Sequence, residues 1–349
     1  MIIRTVFSLL AITCLICAVS AARDTTELTK LADGVYARVV SADGEAVANV
    51  GVAILDQGVL VFDTHFTPEG GESLLSAIRA VTPKPVRYVV NSHWHSDHTH
   101  GNQVFAGAQV ISSSNARRDM LQLDLPSWNR TIKISQAQIE KLRKDALKET
   151  DSTLRQSLRE QIKSREDYLQ TMARLKITIP VVTADESFSI KDGKQEVRIL
   201  FLGKGHTDGD IVLYLPAQKV VFAGDLFFNN AIPNVQDANI LAWIGTVSAL
   251  VKLDADKFVP GHGAVGSKKD VEAFLQYLED LKALVQPAVD RGDNVELATR
   301  DLQIPAKYAS YQFQNFFPSN VQKMYAELKA KQLESPPPED ATKAGPRQP

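Results

Sequence analysis

The chain has 349 residues, 44% hydrophobic and 23% charged, with a formal net charge of −2 at pH 7. That length can bury an ample core without cross-links, and near-neutral, interspersed charge excludes the basic footprint of a nucleic-acid binder. Only two cysteines occur, Cys14 and Cys17.

Met1-Ile2-Ile3-Arg4 gives a short positive start, 5–20 is apolar and uncharged, and Val19-Ser20-Ala21-Ala22 supplies small residues. This is the layout of a secretory signal peptide over 1–22. Its apolar run is slightly short for a stable membrane span. The expectation is therefore an exported protein, periplasmic or secreted, with no stable membrane anchor after cleavage. Both cysteines leave with the leader, so the mature chain offers no disulfide and no thiolate ligand.

Strands are predicted at 34–40, 48–55 and 58–63, divided by Ser41-Ala42-Asp43-Gly44 and Asp56-Gln57-Gly58. A helix is expected over 69–81, stopped before Pro83, then strands at 86–90 and 108–112. The stretch 135–177 is charge-rich, lacks Gly and Pro, and repeats apolar residues at helical spacing. With Ser135 and Asp151 as N-caps, it reads as a helical hairpin joined near Thr150. It is expected to pack as an appendage, a lid or a dimer contact being the functional alternatives. Further strands are predicted near 186–190, 197–202, 211–215, 220–223 and 257–259, with helices over 240–253, 268–290 and about 308–331. From residue 334 the Pro-rich polar remainder reads as a disordered tail, 334–349.

Chemistry concentrates after the strand at 86–90. Asn91-Ser92-His93-Trp94-His95-Ser96-Asp97-His98 packs three imidazoles and a carboxylate into six positions, and with His100 takes four of the seven histidines. Crowded imidazoles repel when protonated, whereas a divalent cation turns them into a site. His93 and His95, two apart, share one side of extended backbone. Asp97 and His98 follow a turn and point at a neighbouring position, so two adjacent metal seats are expected. Further ligand types stand where apolar strands stop: His206 in Gly205-His206-Thr207, Asp225 after Gly224, and His262 in Gly261-His262-Gly263.

These motifs in this order, opened by Asp63 at the end of Leu60-Val61-Phe62, resemble the five-part signature of the metallo-β-lactamase superfamily across about residues 30–265. The resemblance implies an α/β fold, a four-layer αβ/βα sandwich, here with a helical hairpin insertion. Length alone would favour two domains, but the ligand types come from both halves, so one domain over 23–333 is expected. By the same resemblance His93, His95 and His206 hold one zinc, Asp97, His98 and His262 a second, and Asp225 bridges both opposite a hydroxide. Asp63 supports the ligand loop, as Thr207 and Asp210 are also expected to do, and Asp97 orients the hydroxide as a catalytic residue. His65 and His100 match no ligand position and read as solvated loop histidines; Trp94 is expected to pack under the site.

The implied activity is hydrolysis of a small-molecule carbonyl ester, lactone, thioester or β-lactam by a dinuclear zinc site. Without a mature cysteine, the β-lactamase subclasses that use one as a ligand are excluded. A mononuclear iron oxidoreductase resembling persulfide dioxygenases is the alternative, disfavoured because it leaves the second seat empty. Oligomerisation, where it occurs, would run through the helical insertion.

Overall fold

The computed structural model describes residues 27–40 and 47–334. The expected leader 1–22 and, beyond Glu334, the expected tail lie outside the described residues.

Period-two patterning builds two sheets. The first contains β1 (Thr29–Ala32), β2 (Val35–Arg38), β3 (Val50–Ile54), β4 (Val59–Phe62), β5 (Val86–Val90), β6 (Gln109–Ser112) and β7 (Val182–Thr183), in that spatial order. β1 to β4 pair antiparallel and β4 to β7 parallel. The second sheet runs β12 (Lys257–His262), β11 (Val220–Phe228), β10 (Val212–Leu215), β9 (Gln195–Leu200), β8 (Phe188–Asp192), antiparallel except for β11 beside β12.

Alternation then sorts side chains into three apolar layers. Leu60 and Phe62 of β4 meet Leu213, Leu215 and Phe222 of the other sheet between the two sheets. Val59 and Val61, pointing the opposite way, pack under Leu74 and Ile78 of α1 (Pro68–Val81). Val212, Val221 and Ala223 face Trp243 of α6 (Ile240–Val251), Phe274 of α7 (Lys268–Asp290) and Met324 of α9 (Phe317–Glu334). Helix, sheet, sheet, helix is the four-layer αβ/βα sandwich expected from the sequence. The sheets approach closely because β3 has no side chain at Gly51, where a Cβ would lie 2.6 Å from the Phe222 ring.

The helical insertion differs in extent from 135–177. Short α2 (Ser96–Thr99) follows β5, and α3 (Ser114–Asp119) follows β6, capped by the Ser113 side chain on Ala116 N–H. A π-helical turn, Met120–Asp124, then leads into α4 (Leu125–Lys148). Ser135 is therefore a buried interior residue of α4 rather than an N-cap. Pro126 occupies the first turn of α4, where its missing N–H costs no helical bond. Asp151 does cap α5 (Ser152–Met172), accepting from Thr153 and Leu154 N–H. Near the C-terminus the expected helix over 308–331 is two 3-10 turns, Ala306–Tyr308 and Gln314–Phe316, followed by α9; α8 (Val295–Asp301) precedes them.

Candidate metal centre

Strand ends and tight loops at one edge of the sandwich position the polar residues. β4 stops at Phe62, and Asp63 takes the left-handed region (φ 62°), which Asp tolerates better than most residues. Its carboxylate accepts from Ser92 N–H at 2.7 Å, Ser92 Oγ–H at 2.8 Å and His98 Nδ1–H at 2.8 Å. Behind it, Asn91 and Asn102 exchange side-chain hydrogen bonds of 3.0 and 2.8 Å, and Thr64 Oγ donates to Asn102 at 2.9 Å. The loop closes against Thr64 only because residue 101 is glycine: a Cβ there would sit 1.9 Å from the Thr64 carbonyl oxygen. Gly261 plays the same part before His262, since a Cβ would lie 1.8 Å from Asp225 Oδ1.

The seven side chains singled out from sequence converge. His93, His95, His206 and Asp225 form one group and Asp97, His98 and His262 a second, the ligand-type atoms of each lying within 4.8 Å of one another. Asp225 reaches both groups, Oδ2 standing 3.2 Å from His206 Nε2 and Oδ1 3.2 Å from His98 Nε2. His95 Nδ1 and His206 Nε2 are 2.9 Å apart, and Asp97 Oδ2 lies 3.5 Å from His98 Nε2 and 3.4 Å from His262 Nε2. A tetrahedral ion with bonds near 2.0 Å would separate its ligands by about 3.3 Å.

Two further observations test the fit of a metal. His93 Nε2 is buried and lacks a hydrogen-bond partner among the described residues, an expensive state for a polar atom, while buried His98 Nε2 and Asp225 Oδ1 stand 3.2 Å apart without good hydrogen-bond geometry. The donors are five imidazoles and two carboxylates, a set that suits zinc. The residues present fit a pair of such cations.

Electrostatics supports the same arrangement. Burial, then the neighbouring His98 and His95, push His93 well down, and burial brings His206 to about 3, so both imidazoles are neutral donors. Burial also pulls on His262, but the Asp225 and Asp97 carboxylates outweigh it and raise the group to about 10. His98 is likewise raised by Asp225, Asp97 and Asp63 against its burial. Asp97 and Asp225, despite burial, are held below the usual carboxylate range by those imidazoles. Without a cation, protonated His98 and His262 thus supply the positive charge that faces the Asp97 and Asp225 carboxylates.

Several supporting residues were read differently from sequence. His65 and His100, expected to be solvated, are buried. His65 Nδ1 lies 2.9 Å from the Ala48 carbonyl oxygen, and His100 Nε2 meets both Asp124 oxygens at 3.2 Å. Nothing local announces either burial, because the covering groups come from distant segments. Thr207 and Asp210 bond each other, at 2.8 Å from backbone N–H and 2.7 Å from the hydroxyl, and so brace the His206 turn. Burial raises Asp210 to about 7. Trp94 packs edge-on to His95, ring centroids 4.5 Å apart, and keeps part of its surface in solvent.

Two contributors escaped the sequence reading. Ser92 links Asp63 to the His93 ring, its Oγ 2.9 Å from His93 Nδ1. Asp237 places Oδ2 3.0 Å from His95 Nε2, leaving Nδ1 to face the group. The one signal for Ser92 was its place beside the cluster; Asp237, in an ordinary loop, gave none.

The sequence profile described as the Metallo-beta-lactamase superfamily matches residues 43–262. The chain is 22% identical over 276 residues to a linear primary-alkylsulfatase of Pseudomonas sp. (strain ATCC 19151), covering 73% of this chain and 50% of that protein. It is 35% identical over 86 residues to a metallo-beta-lactamase type 2 of Bacillus sp. (strain 170), covering 23% of this chain and 33% of that one. The chain thus spans half or less of the length of these curated relatives. A solved metallo-beta-lactamase from Pontibacter korlensis shares the fold, with a TM-score of 0.54, 21% identity, and coverage of 72% of this chain and 98% of that one. With the profile spanning more than half of its residues and the signature side chains converging at one edge of the sandwich, the chain belongs to the metallo-β-lactamase superfamily.

Proposed function

We propose that the protein is an exported hydrolase that holds two zinc ions and cleaves a small-molecule ester, lactone, thioester or β-lactam. The observation carrying this reading is the convergence of buried His93 Nε2, which has no hydrogen-bond partner among the described residues, with buried His98 Nε2 and Asp225 Oδ1 where the two ligand groups meet. His93, His95 and His206 would hold one ion and Asp97, His98 and His262 the other, with Asp225 reaching both. When bound, such a pair supplies Lewis acidity and lowers the pKa of water from 15.7 to about 7.

The chain's own residues supply orientation and proton traffic. Asp63 fixes the His98 ring and the Ser92 backbone at once, so the second group cannot rotate independently of the strand end. Asp237 fixes His95 in the same way from the opposite side. Asp97, ionised and a fifth exposed, offers a proton acceptor on the open face of the site. Export is supported by the uncharged run 5–20 and its small-residue end, and among the described residues no helix is long and apolar enough to cross a membrane.

Metal analysis of the purified protein, followed by a panel of chromogenic cephalosporin, lactone, thioester and alkyl sulfate ester, tests the reading. The sulfate ester joins the panel because the longest of the alignments above is to an alkylsulfatase. Two zinc per chain with turnover of one panel class is the expected result. One iron per chain and no turnover of any class would overturn it.

A further inference from the structure

The site opens on one side. His95, Asp97 and His262 have side-chain exposures of 17%, 21% and 11%, whereas His93, His98, His206 and Asp225 are at most 4% exposed. Substrate must arrive across the first three. Two half-buried aromatic rings stand against that edge: Trp94 beside His95, and Phe313 edge-on to His262 at a centroid distance of 6.2 Å and an interplanar angle of 88°.

Phe313 lies outside the matched span 43–262 and holds an unusual backbone. Its φ of 59° is left-handed, a conformation that costs a bulky residue appreciable energy and persists only where surroundings enforce it. The enforcement is visible. Gln312 N–H donates to Asn230 O at 2.9 Å and Ile232 N–H donates to Gln312 O at 3.0 Å. These bonds staple the 3-10 segment to the loop leaving β11, the strand that carries Asp225. Phe313 packs on one side against the core that holds Phe227, Phe274 and Tyr277, and against Phe316 at a ring-centroid distance of 6.2 Å. It also keeps part of its surface in the open, next to an accessible ligand-type residue.

We propose that Phe313 is a specificity residue that contacts substrate, presenting an apolar wall on the His262 side of the mouth. The favoured substrate then carries an alkyl or aryl group adjoining the bond that is cut. This rests on the hydrolase reading above and adds to it the chemical class of the substituent.

The test uses straight-chain thiols from ethanethiol to hexanethiol, whose thiolates are zinc ligands, titrated calorimetrically into the full-length zinc-loaded protein. Complete burial of a methylene tightens binding about fourfold, so a half-open wall should give about twofold per added methylene. Phe313→Gly, which suits the left-handed backbone, should flatten the series, while Phe313→Leu should retain most of it. Zinc stoichiometry and thermal midpoint confirm that the variants fold. A wild-type affinity that does not change with chain length, or an equal slope in Phe313→Gly, overturns the role of Phe313 alone. A protein that takes up no zinc and binds no thiol overturns the hydrolase reading and this inference together.

Discussion

Replacing Asp63 separates its backbone role from its charge. Asp63→Ala removes the acceptor of three buried donors, Ser92 N–H, Ser92 Oγ–H and His98 Nδ1–H. Each buried donor left unsatisfied costs about 1–3 kcal/mol, and alanine at φ 62° adds about 1–2 kcal/mol. With Ser92 Oγ able to turn its proton toward His93 Nδ1, two donors are stranded and the variant should lose about 3 kcal/mol or more, a large share of the ~5–15 kcal/mol that holds a domain together. Asp63→Asn is milder. Asparagine tolerates the left-handed region, and its carbonyl oxygen still accepts from Ser92 N–H. Ser92 Oγ can turn its proton toward His93 Nδ1, 2.9 Å away, so only the His98 Nδ1 donor is stranded. A loss of about 1–3 kcal/mol is expected, together with about 10–100-fold weaker zinc at the group containing His98. Urea titration of the metal-free variants and zinc competition against a chromogenic chelator read the two effects separately. Equal urea midpoints for the Asn and Ala variants, or unchanged zinc affinity in Asp63→Asn, would refute the reasoning.

Two other outcomes follow from the same geometry. Asp237→Asn should weaken zinc about 10-fold at the group containing His95 and leave the other group unchanged, since Asp237 touches His95 alone among the seven and is partly exposed; the same competition assay checks it. In the metal-free protein the raised His262 contributes stability that is complete below pH 6.5 and lost as pH rises towards about 10. The lowered Asp97 and Asp225 contribute stability present above pH 3.8 and lost as pH falls below it. Urea midpoints of metal-free protein should therefore fall between pH 7 and 10, while zinc-loaded protein holds steady over that range because coordination already keeps His262 deprotonated. Parallel decline of both forms would contradict the assignment of His262 as a ligand.

The residues legible in sequence share one property: their types are demanded by the chemistry and their places by strand ends. His93, His95, Asp97 and His98 could be read because imidazole and carboxylate at that density have few other uses, and His206, Asp225 and His262 because each interrupts an apolar run at its end. The layers were legible for a related reason, since alternation such as Val59, Leu60, Val61, Phe62 sends successive side chains to different interfaces. What could not be read depends on proximity across the chain. His100 is buried by Asp124, which reaches it from a π-turn 24 residues on, and Asp237 acts on a histidine 142 residues away. Ser135 resembles an N-cap by residue type, yet α4 has already begun ten residues earlier, at Leu125. Phe313 is set apart from the other aromatics only by its φ and its neighbour His262, and neither is written in its local sequence. The two classes answer different questions. Ligand types define what reaction the site supports, and they are written compactly. The groups that aim the ligands and shape the mouth are of ordinary type, contributed by loops and by the C-terminal segment beyond the matched region. On the hydrolase and Phe313 proposals above, substrate choice belongs to the second class, and changes at Phe313 rather than among the histidines should alter what is cut without altering how.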